Sequence, residues 1–241
     1  MLETMRAFVA VNLDVTSTRR IADAAKRLRA RPGAPPAPAV NWVSPTRFHV
    51  LVRFLDELDV GLGPALGDLL RPLSDTLGPL PLRLGSFEAH PSADRATALY
   101  VPVFDDEGHL DSFAQRLNEQ LEELGLPAEK RPFQPHITVA RLRTPAELGP
   151  WFGAFDSAEL GPAHGAECVL YRSDVPRPGA EFLSLARHAL TAPSARRGLR
   201  PGRNRRTKRT SMQPGASTSQ PPPPLASEPP PPGDPAEGPE V

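Results

Sequence analysis

Apolar and polar residues alternate over residues 6–13 (RAFVAVNL), which predicts a β-strand. Thr16 or Ser17 is then placed to cap a helix, because Ile21, Ala24, Ala25 and Leu28 recur at helical spacing and share one face. Four prolines among the seven residues 32–38 call for a surface loop. Residues 48–55 (FHVLVRFL) predict a second strand, and Leu62, Leu66, Leu69, Leu70, Leu73 and Leu77 a second helix that Pro72 should kink. Strands over 80–87 and 97–103 follow. A helix over about 106–124 carries Leu110, Phe113, Leu117, Leu121 and Leu124 on one stripe and has Gly125 at its stop. The pattern closes with a strand over 134–142 (QPHITVARL), a short helix near 145–152, and strands near 167–171 and 182–189.

This order contains two similar halves, each with a histidine-bearing strand, and predicts an α+β sheet protein with an internal duplication. The pattern stops near residue 190. Thirteen of the 32 prolines fall in the last 49 residues, which hold few large apolar side chains and cannot repay the entropy of ordering. We therefore expect one folded domain over 1–190 and a disordered tail over 191–241, basic first and then proline-rich. The whole chain is balanced at 28 basic and 28 acidic residues, yet the tail takes eight of the former and four of the latter. Its Arg196–Arg209 run offers non-specific phosphate contacts to RNA.

One cysteine, Cys168, excludes an intrachain disulfide framework and a multi-thiolate zinc cluster. No run approaches the ~18 apolar residues of a membrane span, and the N-terminal residues carry no cleavage-like site. The expectation is a cytoplasmic monomer without membrane contact, metal or cofactor.

The chemistry concentrates in two segments, FHVLVRF (48–54) and PHITVAR (135–141). Strand alternation puts His136 and Thr138 on one face, with Ile137 and Val139 turned to the core, and groups His49 with Leu51 and Arg53. A histidine, a hydroxyl and guanidinium groups around one cleft suit phosphate chemistry: an acid/base near neutrality, a short donor and fixed positive charge. Arg53 is therefore expected to clamp a phosphate. Arg141 follows its histidine by an odd offset and reaches the same face only if the strand ends or bulges there.

With these two segments the chain resembles the two-histidine phosphoesterase superfamily, in particular the LigT-like family of RNA 2′,3′-cyclic phosphodiesterases and 2′-5′ RNA ligases, recognised by two His-x-Thr-x motifs. The likeness runs over about 1–190, from RAFVAVNL through FHVLVRFLDEL and RPFQPHITVAR to ECVLYRSDVPRPGAEF. The second motif, His136-Ile137-Thr138-Val139, matches in full. In the first, His49-Val50-Leu51-Val52, leucine stands where the family has threonine.

The resemblance implies a bilobal fold with two antiparallel sheets facing a central cleft and helices outside. It implies that a 2′,3′-cyclic phosphate at an RNA or nucleotide end is opened to a 2′-phosphomonoester without metal, His136 accepting a proton from water and His49 donating one to the departing 3′ oxygen. Thr138, Arg53 and Arg141 would hold phosphate oxygens. One imidazole must be neutral while the other is protonated; histidine ordinarily titrates at about 6.5, so a bell-shaped rate profile near neutrality follows. Leu51 removes one hydrogen bond to a charged group, about 1.5–3 kcal/mol or roughly 10- to 150-fold in rate, and predicts a slowed enzyme. Two alternatives stay open: a non-catalytic RNA-end binding protein, and a phosphodiesterase or 2′-5′ ligase acting on another small cyclic nucleotide. Phe48, Trp42, Phe133 and Tyr171 are read as core or rim packing, and His90, His109, His164 and His188 as surface residues. Residues 31–42 and 89–96 are the expected specificity loops.

Overall fold

The computed structural model describes residues 3–34, 39–153, 159–173 and 182–190. Strand β1 (Thr4–Leu13) leads into helix α1 (Val15–Arg29), and β2 (Val40–Trp42) is followed by a 3-10 turn at Pro45–Arg47 and by β3 (Val50–Asp59). Helix α2 (Gly63–Leu77), β4 (Leu80–Leu84), β5 (Glu88–His90) and β6 (Ala96–Phe104) come next. Helix α3 (His109–Glu123), β7 (His136–Ala146), α4 (Gly149–Gly153), β8 (Gly161–Arg172) and β9 (Leu183–Ala189) complete the order.

All strand pairs are antiparallel, and the architecture is the expected α+β one. One half of the sheet has the order β3-β1-β8-β4, with β9 also paired to β8; the other has β4-β6-β7-β2, with β5 on β6. The two halves are joined where Arg83 and Leu84 of β4 pair with Phe104 and Val103 of β6. The path curls back on itself, so the two histidine-bearing strands, β3 and β7, come into contact across it. The main core fills one face of the sheet, with Val9, Val11, Ile21, Leu28, Leu70, Leu99, Phe113, Leu117, Ile137 and Val139 in one buried cluster. A second, smaller apolar cluster of Phe8, Ala10, Leu51, Val169 and Tyr171 lies apart from it.

Several boundaries differ from the sequence expectation for local reasons. The cap of α1 is Asp14: its carboxylate accepts from the Ser17 amide at 2.8 Å and the Ser17 hydroxyl at 2.9 Å, so Ser17 is the third residue of the turn that aspartate completes. Helix α3 begins at His109, after Gly108 takes a left-handed φ of 72°. Gly125, with φ 81°, does follow its end. Helix α2 runs through Pro72 as a single element. The predicted strand over 80–87 stops at Leu84, with the unpredicted β5 starting only at Glu88, and β7 runs on through Pro145 to Ala146. Half of the proline-rich loop (35–38), the stretch 174–181 and the whole 191–241 tail lie outside the described residues.

Candidate active site

Each histidine sits at the start of a strand and is held in the same way. His49 Nδ1 is 2.8 Å from the carbonyl of Arg47, and His136 Nδ1 is 2.8 Å from the carbonyl of Gln134, two residues earlier in both cases. A carbonyl only accepts, so Nδ1 carries the proton and Nε2 is the nitrogen that exchanges one. Aromatic neighbours fix the rings. Phe8 stacks on His49 at 5.0 Å and Phe182 meets it edge-on at 5.8 Å, while Tyr100 meets His136 edge-on at 5.6 Å. The Tyr100 hydroxyl donates to Glu88 at 2.5 Å; burial first, then that carboxylate, pushes its ionisation far up, so the phenol stays protonated. Both histidines and Thr138 are more than nine-tenths buried.

Both strands carry a β-bulge three residues after the histidine. In β3, Ala10 pairs with Leu51 and Val9 with Arg53, which leaves Val52 as the extra residue. In β7, Tyr100 pairs with Thr138 and Leu99 with Ala140, which leaves Val139 extra. The bulge reverses the alternation beyond it, with opposite consequences in the two halves. In β7 it turns Arg141 onto the face of His136 and Thr138, opposite the small Ala98. In β3 it turns Phe54 onto the face of His49 and Leu51 and takes Arg53 off it.

The expectation that Arg53 shares the face of His49 is therefore corrected. Its guanidinium forms a 2.9 Å ion pair with Glu129 and donates to the Pro127 carbonyl. Burial raises the Glu129 carboxyl, but hydrogen bonds from Arg131 and the charges of Arg131 and Arg53 outweigh it and hold the group below the usual carboxylate range. Arg53 thus ties β3 to the segment that leads into His136.

Two adjoining cavities share Leu51 and Phe54 as a wall. The first is lined by His49, Thr138 and Arg141, together with Arg47, Asn41, Trp42, Phe8 and Phe182, and among the described residues its lining has no acidic side chain. The second, of about 320 Å³, opens beside His136 and is faced by Asp111, Glu119, Glu122 and Glu129 with Arg131 and Phe133. The structure thus brings His49, Thr138 and Arg141 to one cavity, with His136 at the mouth of its neighbour. Leu51 takes the position opposite Ala10 that Thr138 takes opposite Tyr100, and packs among Phe8, Tyr171, Phe54 and Phe182.

Phe48 is buried in the main core and Tyr171 in the small cluster, whereas Trp42 and Phe133 are half-buried at the cavity walls. His164 is exposed, but His188 is half-buried and its Nε2 lies 2.9 Å from the Gly67 carbonyl of α2. Sequence reading missed Arg47, Phe8, Phe182 and Asn41 in the site. Asn41 was hidden in a segment read as loop; it belongs to β2, which pairs with β7 and sets it opposite Arg141.

Fold and site together define an α+β protein with one buried histidine in each half of its sheet, the two lining adjoining cavities. The chain belongs to the 2′-5′ RNA ligase superfamily, whose family model matches residues 19–165. It is 29% identical over 105 residues to an RNA 2′,3′-cyclic phosphodiesterase of Aeropyrum pernix, covering 43% of this chain and 58% of that protein. It is 24% identical over 120 residues to the Bacillus subtilis protein of the same name, covering 50% of this chain and 65% of that one. The chain thus matches less than two thirds of the length of these curated relatives. Among solved structures, a protein of Thermus thermophilus has the same fold with a TM-score of 0.61 at 24% identity, over 77% of this chain and 98% of that one. Escherichia coli LigT in complex with 3′-AMP gives 0.58 at 23% identity, over 78% and 99%. Among the described residues no helix is long and apolar enough to cross a membrane.

Proposed function

We propose that the chain hydrolyses a 2′,3′-cyclic phosphate at an RNA or nucleotide end to a 2′-phosphomonoester, without metal, with His136 as general base and His49 as general acid. The observation that carries this reading is the matched holding of the two imidazoles, each with Nδ1 on the carbonyl two residues earlier. That arrangement leaves each ring one exchanging nitrogen, and a reaction that takes a proton from water and returns one to a leaving oxygen needs two such groups. Nε2 of neutral His136 accepts the water proton as the oxygen attacks phosphorus; Nε2–H of protonated His49 donates to the 3′ oxygen as its bond to phosphorus breaks. Thr138 and Arg141 hold the non-bridging oxygens, whose charge grows in the transition state. The names of the Aeropyrum and Bacillus relatives and the 3′-AMP bound to LigT support a nucleotide substrate.

A second reading, binding of cyclic-phosphate ends without turnover, draws on Leu51, which puts an isobutyl group where the other half has a hydroxyl. Turnover of a nucleoside 2′,3′-cyclic phosphate and of a short RNA ending in one, with EDTA present, separates the two. The expected product carries a 2′-phosphate, and His136→Ala should lower the rate by about 100-fold or more. Binding of the cyclic end with no product would select the second reading, and an equal rate for His136→Ala would remove the mechanism.

A further inference from the structure

The first half of the cleft is short of a phosphate donor. In the second half Thr138 and Arg141 share a face, whereas the corresponding positions in the first are Leu51 and Phe54. A cation nevertheless enters from the first half by another route. Arg47 closes the 3-10 turn before β3, its carbonyl holds His49, and its side chain lines the cavity shared by His49, Thr138 and Arg141. Its guanidinium carbon lies 4.5 Å over the ring of Phe182, and among the described residues its buried Nε has no hydrogen-bond partner.

Arginine stays charged at any physiological pH, and an N–H of such a group removed from water without an acceptor is costly. Among the described residues no carboxylate lines the cavity to supply one. An oxyanion entering beside His49 would offer an acceptor to the guanidinium that lines the cavity, whose flat face is braced by Phe182. The equivalent residue of the other half, Gln134, also holds its histidine through the carbonyl but is neutral and lines the acidic neighbouring cavity. The half with leucine in its motif has the arginine, and the half with threonine has the glutamine.

We propose that Arg47 binds a non-bridging oxygen of the substrate phosphate in place of the hydroxyl that Leu51 lacks; the assignment rests on the phosphodiesterase reading for its substrate but not for its binding. It is tested on the full chain with Arg47→Ala, Arg47→Lys, Leu51→Thr and the Arg47→Ala/Leu51→Thr double variant. Affinity for inorganic phosphate and kcat/KM for a nucleoside 2′,3′-cyclic phosphate are both measured, with melting curves to confirm folding. Arg47→Ala should weaken phosphate binding and lower kcat/KM by about 10- to 150-fold, the value of one hydrogen bond to a charged group. The loss should shrink several-fold in the Leu51→Thr background, where a hydroxyl takes over, and Arg47→Lys should recover part of it.

Equal losses in both backgrounds would overturn the substitution of one donor for the other. Phosphate affinity unchanged by Arg47→Ala would overturn the assignment altogether. A parent that never turns over the cyclic nucleotide, yet binds phosphate in an Arg47-dependent way that Leu51→Thr relieves, would remove the phosphodiesterase reading and keep this one.

Discussion

Leu51 shows how a single side chain serves two competing demands. Its isobutyl group, only 9% exposed, packs with Phe8, Phe54, Tyr171 and Phe182 in the small apolar cluster beside His49. Leu51→Thr removes part of that burial and leaves room beside the rings, which should cost about 1–3 kcal/mol of stability. The same change returns a hydroxyl to the proposed phosphate site, and kcat/KM for a cyclic nucleotide should rise by up to about 10-fold, less than a full hydrogen bond if Arg47 serves that oxygen as proposed. Chemical denaturation and turnover on one preparation check both signs. A variant both more stable and slower would mean that the isobutyl group of Leu51 itself contributes to substrate binding and not to packing. Arg53 is the converse case. With its guanidinium on Glu129 and off the cleft, Arg53→Met should leave KM for the cyclic substrate within about 2-fold, while Glu129→Ala, which strands a buried charge, should destabilise by about 3 kcal/mol. A 10-fold rise in KM for folded Arg53→Met would restore the clamp.

At the scale of elements, what could be read in advance tracks period. Strands β1, β3, β6 and β7 and the three long helices carry sustained alternation or helical spacing and were legible in the sequence. Strands β2 and β5, three residues each, owe their existence to pairing with β7 and β6, which no local pattern announces. The bulges escaped for a related reason: in His-Val-Leu-Val-Arg-Phe nothing marks Val52 as an extra residue, since the insertion is defined only against β1. Hence alternation alone places Arg53 on the wrong face, while of the two conditions open for Arg141, a strand end or a bulge, the structure has the bulge.

The cap of α1 illustrates the same point and gives a test. Asp14 lies between strand and helix, three residues before Ser17, and its carboxylate takes the amide that the fold exposes there. Burial raises this carboxyl, but hydrogen bonds from the Ser17 amide and hydroxyl and the Thr16 amide, with the charge of His164, outweigh it, so it titrates below its ordinary value. A depressed folded-state value means the cap's contribution is complete above the ordinary carboxylate value near 4 and is lost as pH falls through the lower one. Asp14→Ala should cost about 1 kcal/mol at neutral pH, and the gap to the parent should close below about pH 4. A gap independent of pH would mean that shape and not charge makes the cap.

The whole molecule separates chemistry from whatever the remaining chain adds. Every residue placed in the cleft lies between Phe8 and Phe182, and Leu190, buried with its amide on the Ala166 carbonyl, closes the last strand against the sheet. Beyond it the sequence carries eight basic residues before the first acidic one. Counterion release would make such a run a contributor to RNA affinity that is blind to sequence and steep in salt, with a slope of about −0.7 per phosphate on a single strand. A mononucleotide spans only the cleft and offers the run nothing further to hold. Removal of residues 193–241 should therefore leave turnover of a nucleoside 2′,3′-cyclic phosphate within about 2-fold, while raising KM for an RNA of ~15 nucleotides and flattening its salt dependence. The check is the ratio of the two kcat/KM values at about 50 and 200 mM salt. If truncation lowers both substrates equally, the segment supports the cleft itself; if it lowers neither, the basic run plays no part in RNA binding and the cleft accounts for all of it.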